Sequence, residues 1–157
     1  MATLYLMVGL PCSGKTTKAK ELETELRAIR LTPDEWQVNL FGHDTLDPDH
    51  DRRHSLIEDM LWQIAARVLS LGTNIILDFG FWAKEERDDY RSRAGKIGAR
   101  SEIVFMDVEE EELLKRVRMR NESLTNTIAY IPEDLMISWI RFFQRPDADE
   151  LAPREKD

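Results

Sequence analysis

The sequence predicts an α/β fold: a three-layer sandwich in which helices cover both faces of a four- to five-stranded parallel sheet. Three observations predict it. Short apolar runs alternate with polar segments of helical character along the 157 residues, an alternation typical of parallel sheets. A glycine-bounded loop joins the first apolar run to the first helical segment. No repeat or low-complexity tract interrupts the pattern, so we expect a single domain over residues 1–157.

The first strand is predicted at residues 4–8, and the loop that follows, residues 9–17, has the sequence GLPCSGKTT. This loop matches the phosphate-binding pattern G-x-x-x-x-G-K-[ST] at every fixed position. A polar, helix-forming segment begins at Lys15. In a strand–loop–helix unit the backbone N–H groups of the loop and the helix N-terminus face a polyphosphate. The pattern therefore predicts a P-loop NTPase fold that binds a nucleoside triphosphate with magnesium.

Each position of this loop has a predicted role. Gly9 and Gly14 permit backbone angles and close approaches that a Cβ would block. Lys15 would lie against the β- and γ-phosphates, the Thr16 hydroxyl would be a magnesium ligand, and Thr17 could bond the α-phosphate. The rest of the loop is predicted to contact the nucleotide through Pro11, Cys12 and Ser13.

A second short strand is predicted at residues 29–31 and a helix at residues 34–41. Thr32 suits an N-cap and Pro33 suits a first helical turn. Asp34 has two interpretations. It either accepts the proton of an acceptor hydroxyl beside the γ-phosphate or stabilises the helix N-terminus, and the spacing alone leaves both open.

The polar, turn-rich residues 42–51 predict a mobile loop, and apolar residues at helical spacing predict a helix over residues 52–71. Acidic residues at 47, 49 and 51 with Glu58, or the three histidines, raise a metal site as an alternative. Solvent exposure of the loop explains the same composition. The histidines are His43, His50 and His54.

The third strand, residues 74–78, ends in Asp78. Burial of a carboxylate at the end of a strand costs free energy unless the charge has a partner. This favours a magnesium-linked carboxylate over one that caps a turn. Phe79, Phe81 and Trp82 follow directly. They either form an apolar wall of an acceptor pocket or pack in the core.

A charged helix is predicted at residues 84–96, a fourth strand at residues 102–106 and an acid-starting, base-ending helix at residues 109–121. On the charged helix, an exposed ion-pair ladder with the neighbouring acids explains Arg87 and Arg91. The acids are Glu85, Glu86 and Asp88.

Arg116 and Arg120 are four residues apart and share one helix face. They could clamp the transferring phosphoryl group when a flap at residues 122–131 closes, or form a solvated basic helix end. The flap belongs to a predicted lid over roughly residues 116–133. A last helix begins at Pro132, and residues 146–157 are predicted to form a polar tail.

The formal net charge of −8 argues for a compact anionic ligand and makes a long nucleic acid a less favoured, though open, partner. The single cysteine excludes an internal disulfide framework and a cysteine-based zinc site. We find no apolar run long enough to cross a bilayer and no basic-plus-apolar leader. These features lead us to expect a cytoplasmic protein without a membrane partner.

The phosphate loop, the segments LTPDE and NIILDFGFW, and the arginine-bearing LLKRVRMRN together resemble a known family. Over roughly residues 3–145 the chain resembles the small P-loop kinases of the AAA_33 type, relatives of chloramphenicol phosphotransferase, zeta toxins and the kinase domain of polynucleotide kinase. The resemblance implies that Lys15 and Thr16 bind ATP and magnesium, that Asp34 is the general base, and that Arg120 is a lid arginine. The family's sheet usually has a fifth strand after the lid, which is very short or absent here.

These observations predict an ATP-dependent kinase that moves the γ-phosphoryl group to a hydroxyl of a small molecule such as an antibiotic, a nucleoside or a sugar. Two alternatives stay open. One is a polynucleotide 5′-hydroxyl kinase, and the other is a nucleotide-dependent switch or binding protein with slow ATP hydrolysis.

Overall fold

The central sheet of the computed structural model contains four parallel strands within residues 1–123 and 130–155, which are the residues that the structure describes. The strands are β1 (Thr3–Val8), β2 (Ala28–Leu31), β3 (Asn74–Gly80) and β4 (Arg100–Phe105). Their order across the sheet is β2-β3-β1-β4, and all three pairings are parallel. This confirms the parallel α/β sheet that the sequence predicts.

Helices pack on both faces of this sheet. They are α1 (Lys15–Glu25), α2 (Pro33–Phe41), α3 (His50–Ser70), α4 (Lys84–Lys96), α5 (Glu110–Glu122), α6 (Glu133–Phe142) and α7 (Ala148–Leu151). Successive side chains of a strand point to opposite faces, so Leu6 packs with α3 and α4 while Met7 packs with Ala19 of α1. The three-layer arrangement is confirmed.

Predicted and observed strand boundaries differ by two residues at most, at the end of β3 and the start of β4. β3 lies between β2 and β1 in this order, so the carboxyl ends of β1 and β3 are adjacent. In a parallel sheet ligands bind outside the carboxyl ends of the strands. The strand order therefore brings the loop at residues 9–17 next to Asp78.

The prediction that Arg87 and Arg91 form an exposed ion-pair ladder is wrong. Both side chains are buried, with exposures of 0% and 1%. Arg87 bonds Glu150 of α7, and Arg91 donates to the backbone carbonyls of Ser101, Glu150 and Ala152. Their partners lie about sixty residues along the chain in most cases, so the local charge pattern gave no sign of them.

The C-terminal residues also differ from the predicted polar tail. Asp147 caps α7 in a capping box with Glu150, whose side chain is buried. Arg154 forms an antiparallel bridge with Ser101 at the outer edge of β4, where a fifth strand would pair. In the described part of the chain this single bridge is all that stands in place of a fifth strand.

The loop predicted as mobile at residues 42–51 ends earlier, because α3 begins at His50. Asp44 in this loop is buried and accepts hydrogen bonds from Gln37 and Arg53, with a third to His50. Burial by itself raises the pKa of Asp44, but the hydrogen bonds from His50, Gln37 and Arg53 outweigh it and lower the pKa to about 2. The loop is thus anchored at one buried carboxylate.

Most of the predicted flap, residues 124–129, lies outside the described residues. At its flanks the Asn121 side chain donates to the carbonyl of Ile131 (2.7 Å) and accepts from its N–H (3.0 Å). The two ends of the segment are therefore held together. Across residues 1–123 and 130–155, no helix is both long and apolar enough to span a bilayer.

Candidate active site

The loop between β1 and α1 has the tight geometry that its sequence predicts. A Cβ on Gly9 would lie 2.6 Å from Ser13 Oγ, so only glycine fits there. Gly14 (φ 86°) and Cys12 (φ 66°) both adopt left-handed backbone angles, which favour glycine and strain other residues. The Ser13 hydroxyl is buried and has no hydrogen-bond partner in the described part of the chain. The loop thus turns tightly into the N-terminus of α1, which begins at Lys15.

Asp78 lies at the centre of the loop's contacts with β3. One carboxylate oxygen accepts hydrogen bonds from the hydroxyls of Thr16 (2.6 Å) and Thr32 (3.0 Å). The other lies 3.7 Å from the Lys15 ammonium and, among the described residues, accepts no hydrogen bond. A hydroxyl beside a buried carboxylate with a free oxygen is a donor set that suits Mg²⁺, a hard cation that binds oxygen ligands. The predicted metal residues Thr16 and Asp78 are therefore neighbours.

The two predicted arginines of α5 lie against the phosphate loop. Arg116 donates to the Cys12 carbonyl (3.1 Å) and pairs with Glu112. Arg120 approaches the Cys12 sulfur (3.9 Å), and its Nε is buried without a partner in the described ranges. Arg120 also borders the neighbouring cleft, whereas Arg116 does not. Of the two, Arg120 is better placed to reach a γ-phosphate from this helix.

A cleft of about 670 Å³ opens beside Lys15. Its walls come from the phosphate loop and the start of α1, the end of β3, α2 with the loop that follows it, and the N-terminal parts of α3 and α4. Arg120, Ile131 and Trp139 also border it. Asp34 lies on its α2 wall with 76% of its side chain exposed, and His54 Nδ1 lies 3.9 Å from the Asp34 carboxylate. His54 Nε2 in turn lies 3.1 Å from Glu58, and this hydrogen bond raises the pKa of His54.

The three predicted aromatic residues all border the cleft, but they differ in burial. Phe81 is 1% exposed and stacks on Phe79 at 5.3 Å, so it is mainly a core residue. Trp82 packs against Trp139 and donates its indole N–H to the Gly9 carbonyl (3.3 Å). Trp82 therefore touches the phosphate loop and the cleft at once.

The cleft carries more negative than positive side chains. Lys15 and Arg120 are its permanent cations, His43, His50 and His54 also line it, and the ionised carboxylates are Asp34, Asp44, Asp51 and Glu58, with Glu86 partly protonated near neutral pH. Glu86 forms no ion pair in the described part of the chain. Burial and the charge of Glu58 raise the pKa of Glu86 to about 7.

The raised pKa of Glu86 predicts a pH-dependent stability. The unfolded carboxyl titrates near its ordinary value of 4.5, so between that pH and about 7 the folded state binds more protons. The free energy of unfolding therefore falls as the pH rises through this window. Glu86→Gln should raise the free energy of unfolding by about 1–2 kcal/mol at pH 8 and change it little at pH 4.5.

Chemical denaturation at both pH values measures this difference, with Glu85→Gln as the matched control because Glu85 is exposed on the same helix turn. Equal effects of the Glu86 variant at both pH values would contradict the assignment.

Sequence reasoning did not assign His54, Glu58 and Glu86 to this cleft. From the sequence alone, His54 and Glu58 are candidates only as metal ligands, and Glu86 only as an ion-pair partner. Within the described ranges, no three His, Cys, Asp or Glu side chains come close enough to hold a metal ion. The spacing of four between His54 and Glu58 on a helix was the available signal, because it places both on one face.

The family comparison agrees with this geometry. The model of the AAA_33 family, described as an AAA domain, matches residues 4–146. The chain belongs to the AAA_33 family. The match includes the phosphate loop, Asp34, Asp78 and both α5 arginines. No curated protein sequence shows significant similarity to this AAA_33 protein.

Solved structures share its fold at low sequence identity. A chain of the Pnkp1/Rnl/Hen1 RNA repair complex superposes with a TM-score of 0.77 at 23% identity over 99% of the AAA_33 protein, which spans 49% of that chain. Kti12 of Chaetomium thermophilum, solved with ADP and AlF3, gives 0.71 at 18% identity, covering 92% and 81% of the two chains. A gluconokinase of Sinorhizobium meliloti gives 0.64 at 16% identity, covering 95% and 79%. The AAA_33 protein therefore has the fold of P-loop kinases.

Proposed function

We propose that this AAA_33 protein is an ATP-dependent kinase that transfers the γ-phosphoryl group to a hydroxyl of a small-molecule acceptor. One observation carries the proposal: the cleft beside the phosphate loop is lined by both Lys15 and Asp34. A phosphoryl donor and an acceptor hydroxyl can thus meet in one cleft. The family match and the kinase neighbours support the same activity.

The phosphate loop is the proposed nucleotide site. Lys15 would neutralise charge on the β- and γ-phosphates, and the loop N–H groups would bond the phosphate oxygens. Kti12, which shares this fold, was solved in complex with ADP and AlF3, which supports nucleotide binding.

Magnesium is proposed at Thr16 and Asp78. The Thr16 hydroxyl would be a direct ligand, and Asp78 would hold that hydroxyl and the waters of the ion. The bound ion would neutralise the charge that develops on the phosphate oxygens. Lys15, only 3.7 Å from Asp78, would form an ion pair with this carboxylate and hold it in place.

The acceptor oxygen would attack the γ-phosphorus as the bond to the bridging β–γ oxygen breaks, leaving ADP. Asp34 would accept the proton of the acceptor hydroxyl. The His54 ring, 3.9 Å from Asp34 and hydrogen-bonded to Gln37 and Glu58, would interact electrostatically with the Asp34 carboxylate. Arg120, assisted by Arg116, would stabilise the charge on the transferring group as the lid over roughly residues 116–133 closes. In this proposal, residues 1–157 act as one kinase-like domain.

The charge of the cleft favours a small neutral or cationic acceptor. Its carboxylates outnumber its cations, so a polyanionic strand would meet repulsion along the walls. Phe79 and Trp82 supply the apolar surface on which a compact ring can pack. A sugar, nucleoside or amino-bearing antibiotic fits these features better than a nucleic-acid end.

A polynucleotide 5′-hydroxyl kinase is the second candidate, because the neighbour with a TM-score of 0.77 belongs to an RNA repair complex. That candidate needs measurable affinity for short oligonucleotides. The affinity should fall steeply with salt if phosphate contacts contribute to it.

Transfer of label from γ-labelled ATP into a cell extract tests the proposal. With Mg²⁺ present, we expect label in one peak of the small-molecule fraction and none in the nucleic-acid or protein fractions. Label in nucleic acid would establish the second candidate instead. Free phosphate alone, with ATP bound and nothing modified, would contradict both and favour a nucleotide-dependent switch.

A further inference from the structure

A buried ion pair joins the C-terminal segment to the wall of the cleft. The Arg87 guanidinium is fully buried and forms a two-pronged contact with Glu150: Nε to Oε1 at 2.7 Å and Nη2 to Oε2 at 3.2 Å. Glu150 is itself only 3% exposed. The two residues are 63 positions apart, so the pair connects α4 with α7.

The same guanidinium also holds the turn that follows β3. Its Nη1 donates to the carbonyls of Phe81 (2.9 Å) and Trp82 (3.1 Å). The Gln144 N–H donates to the Trp82 carbonyl as well (2.9 Å). Phe81 has a left-handed φ of 44°, which is unfavourable for a bulky residue and persists only where its surroundings enforce it.

The turn is held against the phosphate loop and also borders the cleft. Its Trp82 indole donates to the Gly9 carbonyl, and the Trp82 ring borders the cavity beside Phe79 of β3. A shift of the turn would therefore move the acceptor wall relative to the phosphate loop. Misplacement of reacting groups by about 1 Å can cost 10²-fold in rate.

We propose that Arg87 and Glu150 are positioning residues that fix the acceptor wall, with the C-terminal segment as their anchor. The inference rests on the proposed function for its catalytic consequence. A buried ion pair is weak evidence for stability, because well-packed apolar residues often replace one without loss. The hydrogen bonds from Arg87 to the two carbonyls explain the pair better, because an apolar side chain could not donate to a carbonyl.

Hydrogen exchange with the nucleotide-free full chain tests the positioning directly. In Glu150→Gln, the amides of residues 79–84 should exchange roughly tenfold or more faster than in the wild type, while those of β1 and α1 keep their protection. Asp88→Asn is the matched control. It removes one carboxylate from the exposed Asp88–Arg154 pair, which also joins α4 to the C-terminal segment but touches neither carbonyl.

A double variant separates positioning from folding. Arg87→Met with Glu150→Leu replaces the pair by apolar groups and should fold, yet it too should show fast exchange at residues 79–84. With the small-molecule fraction as acceptor, its transfer rate should fall roughly tenfold or more, with the Kd for ATP within about twofold of the wild type.

Wild-type exchange at residues 79–84 in a folded double variant would overturn the inference, as would equal acceleration in Asp88→Asn. Failure of the proposed function would give a different experimental result. The wild type would then transfer no label to any acceptor, while the exchange experiment would still decide whether the pair fixes the turn.

Discussion

Lys15→Ala should reduce phosphoryl transfer to near background, a loss of about 10³-fold, and weaken ATP binding. Lys15 lines the cleft, and its ammonium lies 3.7 Å from Asp78. Removing a preorganised charge that stabilises the transition state typically costs 10²- to 10³-fold. Initial rates with γ-labelled ATP and the labelled small-molecule fraction, together with an ATP titration, measure both effects.

Lys18→Ala is the matched control for this substitution. Lys18 lies one turn along the same helix, is 39% exposed and, among the residues that the structure describes, pairs only with Glu21, so its loss should leave transfer within about twofold. Because Lys15→Ala leaves the Asp78 carboxylate without its cation, thermal unfolding should accompany the assay. A folded Lys15→Ala variant that transfers phosphate within threefold of the wild type would show that the loop is not the nucleotide site.

Asp34→Asn should lower transfer by about 10²- to 10⁴-fold, the range for loss of a positioned proton acceptor. The Kd for ATP should stay within about twofold, since Asp34 lies on the α2 wall and not in the phosphate loop. The amide keeps the size of the carboxylate and cannot accept the proton. Single-turnover transfer, with ATP saturating and the acceptor limiting relative to the enzyme, separates this chemical defect from any change in nucleotide binding.

Glu35→Gln provides the comparison. Glu35 is the neighbouring acid in the first turn of α2, where it pairs with Arg30 at 2.9 Å, and it does not border the cleft. Its variant should transfer phosphate at a rate close to the wild type. If Asp34→Asn does the same, Asp34 is only a helix-stabilising acid, and the general base must be sought elsewhere in the cleft.

The sequence predicted the sheet and the position of the glycine-bounded loop beside Asp78, because those features have local causes. The strands are continuous apolar runs, and the loop pattern spans nine residues between a strand and a helix. Parallel strands place their carboxyl ends at one edge, so the meeting of the loop, Asp34 and Asp78 follows from the order of elements. Local sequence patterns and the order of the elements were sufficient for these predictions.

The acceptor side was harder to predict because its determinants are long-range. A run of charges on α4 indicates a solvated helix unless the partner is known, and the partner of Arg87 is 63 residues away. Likewise, Asp44 looks like an ordinary loop acid until Gln37, His50 and Arg53 converge on it. The burial of such side chains can be recognised only when the tertiary contacts are known.

The division of the cleft between strands and helices has a consequence for how such a protein can diversify. The groups that would handle ATP lie in the phosphate loop and at the end of β3, whereas most of the acceptor wall comes from α2, α3 and α4. Side chains on the helices can be exchanged without disturbing the Thr16–Asp78 contact. A library of variants at α2 and α3 positions other than Asp34 and His54 is therefore a rational route to new acceptors with an unchanged phosphate donor.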